Sequence, residues 1–153
     1  MMARIQHILV PVDFSPSSEA ALPYALAFAR RYKAKITLLH VIPTNVYAVG
    51  EMTYWQLSEQ VFSAFEEEAA QKLAATFTPE ERQELEIEEK VTQGVPFAEI
   101  VQEAREGQVD LIIMGTHGRT GLSHFVLGSV TEHVIRKAPC PVLTVRVPEE
   151  KEG

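Results

Sequence analysis

Apolar residues in this chain come in short unbroken runs separated by longer stretches with a helical repeat. Ile8-Leu9-Val10-Pro11-Val12, within His7 to Asp13, shows no alternation, the pattern of a strand buried on both faces. Lys35 to Ile42, with Ile36, Leu38, Leu39 and Val41 apolar, reads the same way, as do Asp110 to Met114 and Pro141 to Val147. Leu85 to Val91 instead alternates Leu85, Ile87 and Glu89 with Glu86, Glu88 and Lys90, which predicts a half-exposed strand.

The stretches between are helical. Ala21, Ala25, Phe28, Ala29 and Tyr32 fall on one stripe of a helix that starts near Ser15-Pro16 and runs to Tyr32. Pro23 sits inside it and predicts a kink or a late start. Gln56 to Thr76 places Val61, Phe62, Phe65, Ala69, Leu73 and Phe77 on one side, with Glu66-Glu67-Glu68 solvated and Pro79 stopping or interrupting the helix. Pro96 to Glu106 turns Phe97, Ile100, Val101 and Ala104 inward, and Gly107 caps it. Val130 to Ala138 turns Val130, Val134, Ile135 and Ala138 inward. Pro43 to about Thr53 reads as a loop. Five strands thus alternate with four helices. Crossovers of this length join parallel strands, giving a single-domain open sheet of five parallel strands with helices on both faces. Residues 1–147 make that domain, and 148–153 a charged, mobile tail.

In such sheets ligands bind beyond the carboxyl ends of the strands. The fourth strand ends in Gly115-Thr116-His117-Gly118-Arg119-Thr120-Gly121, and Gly128-Ser129 opens the last helix. A glycine-rich loop leading into a helix offers free N–H groups and the positive end of a dipole to an anion. Gly115 and Gly118 let the backbone approach phosphates, Ser129 adds a hydroxyl and an N–H, and Val130 a second N–H. Asp13, ending the first strand, suits ribose hydroxyls or a base amino group, against a plain reading as a turn residue. His117, Arg119 and His124 offer further donors; His40 reads as packing, and His7 and His133 as structural or exposed. There is no G-x-x-x-x-G-K-[ST] loop and no G-x-G-x-x-G after the first strand, which disfavours a Walker-type NTPase and a dinucleotide site.

Composition narrows the partners. The 153 residues carry a net charge of −7, which disfavours nonspecific binding to nucleic acid or anionic membrane. No apolar run approaches the roughly 20 residues of a membrane span. The single cysteine, Cys140, forms no internal disulfide and reads as a small buried residue; with no leader pattern at the start, the expectation is cytoplasmic.

Taken together, Gly115-x2-Gly118-x9-Gly128-Ser129, Ile8 to Ser15, Leu39-His40-Val41, Asp110 to Gly118, Gly128 to Ile135 and Pro139 to Val145 resemble the ATP-binding branch of the universal stress protein family, over essentially the whole chain. The resemblance implies strand order 3-2-1-4-5, an adenine nucleotide alpha hydrolase-like fold, and ATP as ligand with a divalent metal, Mg2+ or Mn2+. It implies that Pro11, Val12, Asp13 and the backbone of Val41 line the base and ribose. Met114, Gly115, Thr116, His117, Gly118 and Arg119, with Gly128, Ser129, Val130 and Thr131, would hold ribose and phosphates. It also implies a homodimer through the last strand, and Val142 to Val147 is an apolar edge without a central Pro or Lys to block such pairing. Three functions follow: an ATP-binding regulatory module of the stress response, a slow ATPase or adenylyl-transfer relative, or a scaffold with an empty crevice. The glycines and hydroxyls favour the first, because no general base accompanies them.

Overall fold

The computed structural model describes residues 2–44, 59–117 and 127–148. Its elements are β1 (His7–Pro11), α1 (Pro16–Glu19), α2 (Leu22–Tyr32), β2 (Lys35–Pro43), α3 (Glu59–Ala74), α4 (Pro79–Glu84), β3 (Ile87–Gly94), α5 (Pro96–Glu106), β4 (Leu111–Gly115), α6 (Ser129–Lys137) and β5 (Val142–Val145). The five strands form one parallel sheet in the order β3-β2-β1-β4-β5.

Alternate strand residues feed two apolar layers. Ile8, Val10, Val12, Ile36, Leu38 and Ile113 pack with Ala21, Ala25, Ala29 and Leu73 of the helical layer on one face. Leu9, Leu39, Ile112 and Met114 pack with Ile100, Ala104 and Val134 on the other. Each such Leu or Ile taken fully out of water contributes about 1.5–3 kcal/mol.

The single helix expected up to Tyr32 is two. Proline has no N–H to bond the carbonyl four residues back, so the turn around Ala20 and Ala21 breaks and Pro23 takes a place in the first turn of α2. Pro79 does more than stop a helix: it opens α4. Thr78 Oγ1 accepts the Glu81 N–H at 3.2 Å, and Glu81 Oε2 accepts the Thr78 N–H at 2.8 Å. Strand β3 starts two residues later than expected and runs on to Gly94, because it follows β2 in register from Ile36↔Ile87 to Pro43↔Gly94. Strand β5 is shorter than expected. It pairs only with β4, and the register ends at Gly115↔Val145, leaving Arg146 and Val147 exposed.

Two apolar stripes are narrower than the periodicity implies. In α3, Ala69 and Leu73 are buried while Val61 and Phe65 are exposed; only the C-terminal half lies on the sheet. In α6, Thr131 and Val134 define the buried face and Ile135, 100° away, points outward at 45% exposure. Tyr32, at the end of α2, is likewise exposed. Gly107 is the C-cap of α5, but the left-handed residue is Gln108, at φ 51°. Gly107 is needed for space instead: a Cβ there would lie 2.9 Å from the Glu103 carbonyl oxygen and 3.3 Å from His7 Cε1. His7 joins the amino ends of the strands. Its Nδ1 donates to the Gly107 carbonyl at 3.0 Å and its Nε2 lies 2.7 Å from Thr37 Oγ1.

Candidate functional site

The site begins where the sheet stops. Leu9 pairs with both Thr37 and Ile112, so Pro11 stands level with Leu39 and Met114, and Asp13 with Val41 and Thr116. Neighbouring strands lie about 4.8 Å apart, so these three ends span roughly 10 Å. The last rung between β1 and β2 is the Val12 N–H donating to the Leu39 carbonyl at 2.8 Å. Backbone groups two residues apart in a strand point the same way, so the N–H and C=O of Val41 turn toward β1. Among the described residues no backbone rung from β1 follows Leu39 to meet them.

The turn after β1 is held by its own polar groups. Asp13 Oδ1 accepts the Ser15 N–H at 2.9 Å, so the turn-residue reading describes one of its carboxylate oxygens. Ser15 caps α1, and Ser18 Oγ accepts the Asp13 N–H at 3.3 Å. Phe14 between them has φ 64°, the left-handed region, which costs a bulky residue on the order of 1–3 kcal/mol. Its ring is held 4.7 Å from that of His40 and 5.1 Å from Lys72 Nζ. His40 is buried and donates from Nδ1 to the Val12 carbonyl at 2.7 Å, fixing the end of β1 from behind. On that side a cavity of about 500 Å³ opens between Phe14, His40, Ile42, Phe65, Ala69 and Lys72.

The other wall is the end of β4. Gly115 lies directly on α1, where any Cβ would overlap the carbonyl oxygen of Ser17. The His117 N–H donates to Ser17 Oγ at 3.0 Å, so one serine of α1 braces the point where the chain leaves β4. The Thr116 N–H donates to the Val145 carbonyl at 3.2 Å, and the Thr116 carbonyl accepts the Gly128 N–H at 2.8 Å. The chain therefore returns to its own point of departure before entering α6. Gly128 is the N-cap of α6 and provides no side-chain cap, and the first helical bond runs from the Glu132 N–H to the Gly128 carbonyl. The N–H groups of the first turn lie outside the helical ladder, at the positive end of the dipole.

The structure brings Pro11, Val12, Asp13, Val41, Met114, Gly115, Thr116, His117, Gly128, Ser129, Val130 and Thr131 to this end of the sheet. Gly118, Arg119 and His124 lie outside the described residues. Several side chains are already committed. Val12 packs into one apolar layer and Met114 into the other. Thr131 is buried, and its Oγ1 donates to the Gly115 carbonyl at 2.9 Å. These three have only backbone to offer a ligand, whereas Asp13, His117 and the exposed Ser129 keep polar side-chain atoms at the crevice. Among the described residues the His117 Nε2 is buried without a partner, an arrangement that costs about 1–3 kcal/mol when nothing fills it. His133 donates to the Ser129 carbonyl at 2.6 Å and stacks on Phe97, a structural role. At Cys140, burial and then Asp110 push the thiol above its ordinary value, away from the reactive thiolate.

Sequence reasoning did not single out Ser17, Ser18 or Phe14. Three serines in four residues after a strand end hint at a hydroxyl-rich corner, but the bond of Ser17 to His117 bridges 100 residues. A left-handed phenylalanine leaves no local signal.

Comparison with known proteins decides the family. The model of the universal stress protein family matches residues 4–146. The chain belongs to that family. It is 33% identical over 145 residues to universal stress protein MJ0531 of Methanocaldococcus jannaschii, covering 94% of this chain and 84% of that one. The solved structure of MJ0577, from the same organism, superposes with a TM-score of 0.80 at 36% identity, covering 95% and 98% of the two chains. A universal stress protein solved in complex with cAMP superposes at 0.62, with 25% identity and coverage of 94% and 98%. The strand order of this chain is therefore that of a family whose members include a nucleotide complex.

Proposed function

We propose that this protein is an ATP-binding regulatory protein of the stress response, with the nucleotide lying across the carboxyl ends of β2, β1 and β4. The observation that carries the reading is the line of polar groups along that edge. The backbone of Val41 faces a gap where a base edge can pair. Asp13 sits one strand over, at ribose distance. The uncapped first turn of α6 follows, with Ser129 and Val130 presenting N–H groups to phosphate. Base, sugar and phosphate of one adenine nucleotide match these three in order. The cAMP complex of a relative supports an adenine nucleotide as the ligand class.

No cluster of three or more His, Cys, Asp or Glu suited to a metal occurs among the described residues. Mg2+ or Mn2+ would arrive held by the phosphates, with the exposed Ser129 hydroxyl available as a protein oxygen ligand. The protein works as a homodimer through β5. No helix among the described residues is long and apolar enough to cross a membrane.

Calorimetric titration of nucleotide-stripped protein with Mg-ATP tests the reading. We expect saturable binding at one site per chain, lost in Gly118→Val and weakened in Asp13→Ala. A folded parent that binds no Mg-ATP would overturn it. Steady ATP turnover above a protein-free blank, abolished by Ser129→Ala, would make the protein a slow ATPase instead.

A further inference from the structure

The ladder between β1 and β2 stops one bond early. In parallel strands a residue gives its N–H to one carbonyl of the neighbour, and its own carbonyl takes the N–H two residues further along. The register runs from His7↔Lys35 to Pro11↔Leu39, which sets Val12 level with His40. The first bond of that pair is present, from the Val12 N–H to the Leu39 carbonyl at 2.8 Å. The second would bring the Val41 N–H to the Val12 carbonyl, and among the described residues it is not made.

A side chain stands in for the missing rung. The Val12 carbonyl accepts from His40 Nδ1 at 2.7 Å. A carbonyl oxygen only accepts, so Nδ1 carries the proton of that bond. Val12 and His40 are both buried, where a carbonyl without a donor is costly. The ring is held by Phe14, with centroids 4.7 Å apart, and Phe14 takes the left-handed φ of 64° to reach it. Val41 therefore keeps both its N–H and its C=O turned toward β1 with no rung to meet them. A donor and an acceptor side by side on one residue answer a base edge that pairs a ring nitrogen with an amino group.

We propose that His40 is a positioning residue for base recognition: by holding the Val12 carbonyl, its Nδ1–H keeps the Val41 main chain open to the nucleotide. This rests on the nucleotide reading above and adds to it a residue that acts through the strand ends rather than by contact. Packing against Phe14 is thus only part of what His40 does. Without the imidazole, the donor that the register supplies to the Val12 carbonyl is the Val41 N–H. The ladder then gains its missing rung, and the base loses its donor.

The test uses the full chain, stripped of nucleotide, with two variants. His40→Leu removes the donor, and His40→Asn keeps a side-chain N–H near the place of Nδ1. Hydrogen exchange at the Val41 amide, followed by NMR, reads the rung itself. We expect fast exchange in the stripped parent, slower exchange once Mg-ATP is bound, and slow exchange in stripped His40→Leu. Calorimetry compares Mg-ATP with Mg-ITP, whose base has a carbonyl and a ring N–H where adenine has the amino group and ring nitrogen. The parent should favour ATP. His40→Leu should lose about tenfold in ATP affinity, the range for one or two neutral hydrogen bonds, with little change for ITP. His40→Asn should restore the preference. Thermal melting shows which variants are folded; should His40→Leu not fold, the Val41 amide of the parent and the base preference of His40→Asn decide. A Val41 amide already protected in the stripped parent overturns the assignment while the nucleotide reading stands. So does a folded His40→Leu that keeps the parent's preference, or one that weakens both nucleotides alike with its Val41 amide still exchanging fast. So does a folded His40→Asn without the preference. A parent that binds no Mg-ATP overturns both.

Discussion

Gly115 carries two roles at one position. It ends β4 beside the crevice, and it lets α1 lie on the sheet without an intervening side chain. The atom that a Cβ would meet belongs to the backbone of Ser17, which cannot rotate away. Gly115→Ala is therefore expected to lower stability by about 1–3 kcal/mol, the usual cost of overpacking a tight interior. Chemical denaturation measures it, and a loss below a few tenths would show that α1 moves aside freely. The same variant shifts Ser17 away from His117, so ATP affinity falls with stability. The neighbouring residues divide the work differently: Val12, Met114 and Thr131 spend their side chains on packing or on the Gly115 carbonyl, so the proposed recognition falls to Asp13, His117, Ser129 and main-chain groups.

At the scale of elements, α4 shows how a short helix survives. Its six residues are too few to be stable alone, but Pro79 occupies the first turn and the Thr78–Glu81 capping box satisfies two end groups. Thr78→Ala should cost about 1 kcal/mol, read as a lower thermal midpoint. This helix was legible in Thr78-Pro79-Glu80-Glu81, a capping sequence that is easily read as an interruption. The split at Pro23 was legible too, because a missing N–H acts locally. The reach of β3 was not, since a strand ends where its partner ends and β2 runs on to Pro43. The glycine spacing of the crevice stood out in the sequence, whereas the bracing of His117 by Ser17 depends on a contact between distant segments.

Strand β3 is also where charge shapes the pH profile. Glu88 Oε2 lies 2.8 Å from Lys35 Nζ, and that bond, aided by Lys90, holds its carboxyl below the ordinary 4.5. A carboxyl lowered on folding stabilises the protein above its unfolded value and loses that contribution as pH falls through the folded one. Glu88→Gln should therefore lower stability most near neutrality, where the ionised carboxyl contributes in full, and flatten the fall in stability below about pH 4.5. A melting series across pH 3 to 7 reads this, and an unchanged acid limb would show that Glu88 is not linked to folding.

For the whole molecule, the sheet has two edges and treats them differently. The edge at β3 carries Glu88, Glu89 and Lys90, each in an ion pair with a neighbouring element. Charges of this kind blunt pairing with a second chain. The edge at β5 is Val142-Leu143-Thr144-Val145, followed by exposed Val147, with Ile135 of α6 exposed nearby. The carbonyls of Pro141 and Val145 accept from Ile112 and Thr116, so these residues face β4, and the alternate ones, Val142 and Thr144, turn their N–H groups outward. An apolar edge with open donors is the kind that a two-fold copy of itself closes, each strand pairing with its twin. Thr144→Pro separates this pairing from the fold: it deletes an outward N–H and leaves the rungs to β4 intact. Sedimentation of the parent should give a dimer, and Thr144→Pro a folded monomer. A variant that stays dimeric would move the interface off β5. Because the Val145 carbonyl holds the Thr116 N–H, the dimer edge lies one hydrogen bond from the corner that positions His117. Ordering β5 in the proposed dimer would steady the proposed phosphate end of the crevice, and the monomeric variant is expected to bind ATP more weakly than the parent although it keeps every residue of the site.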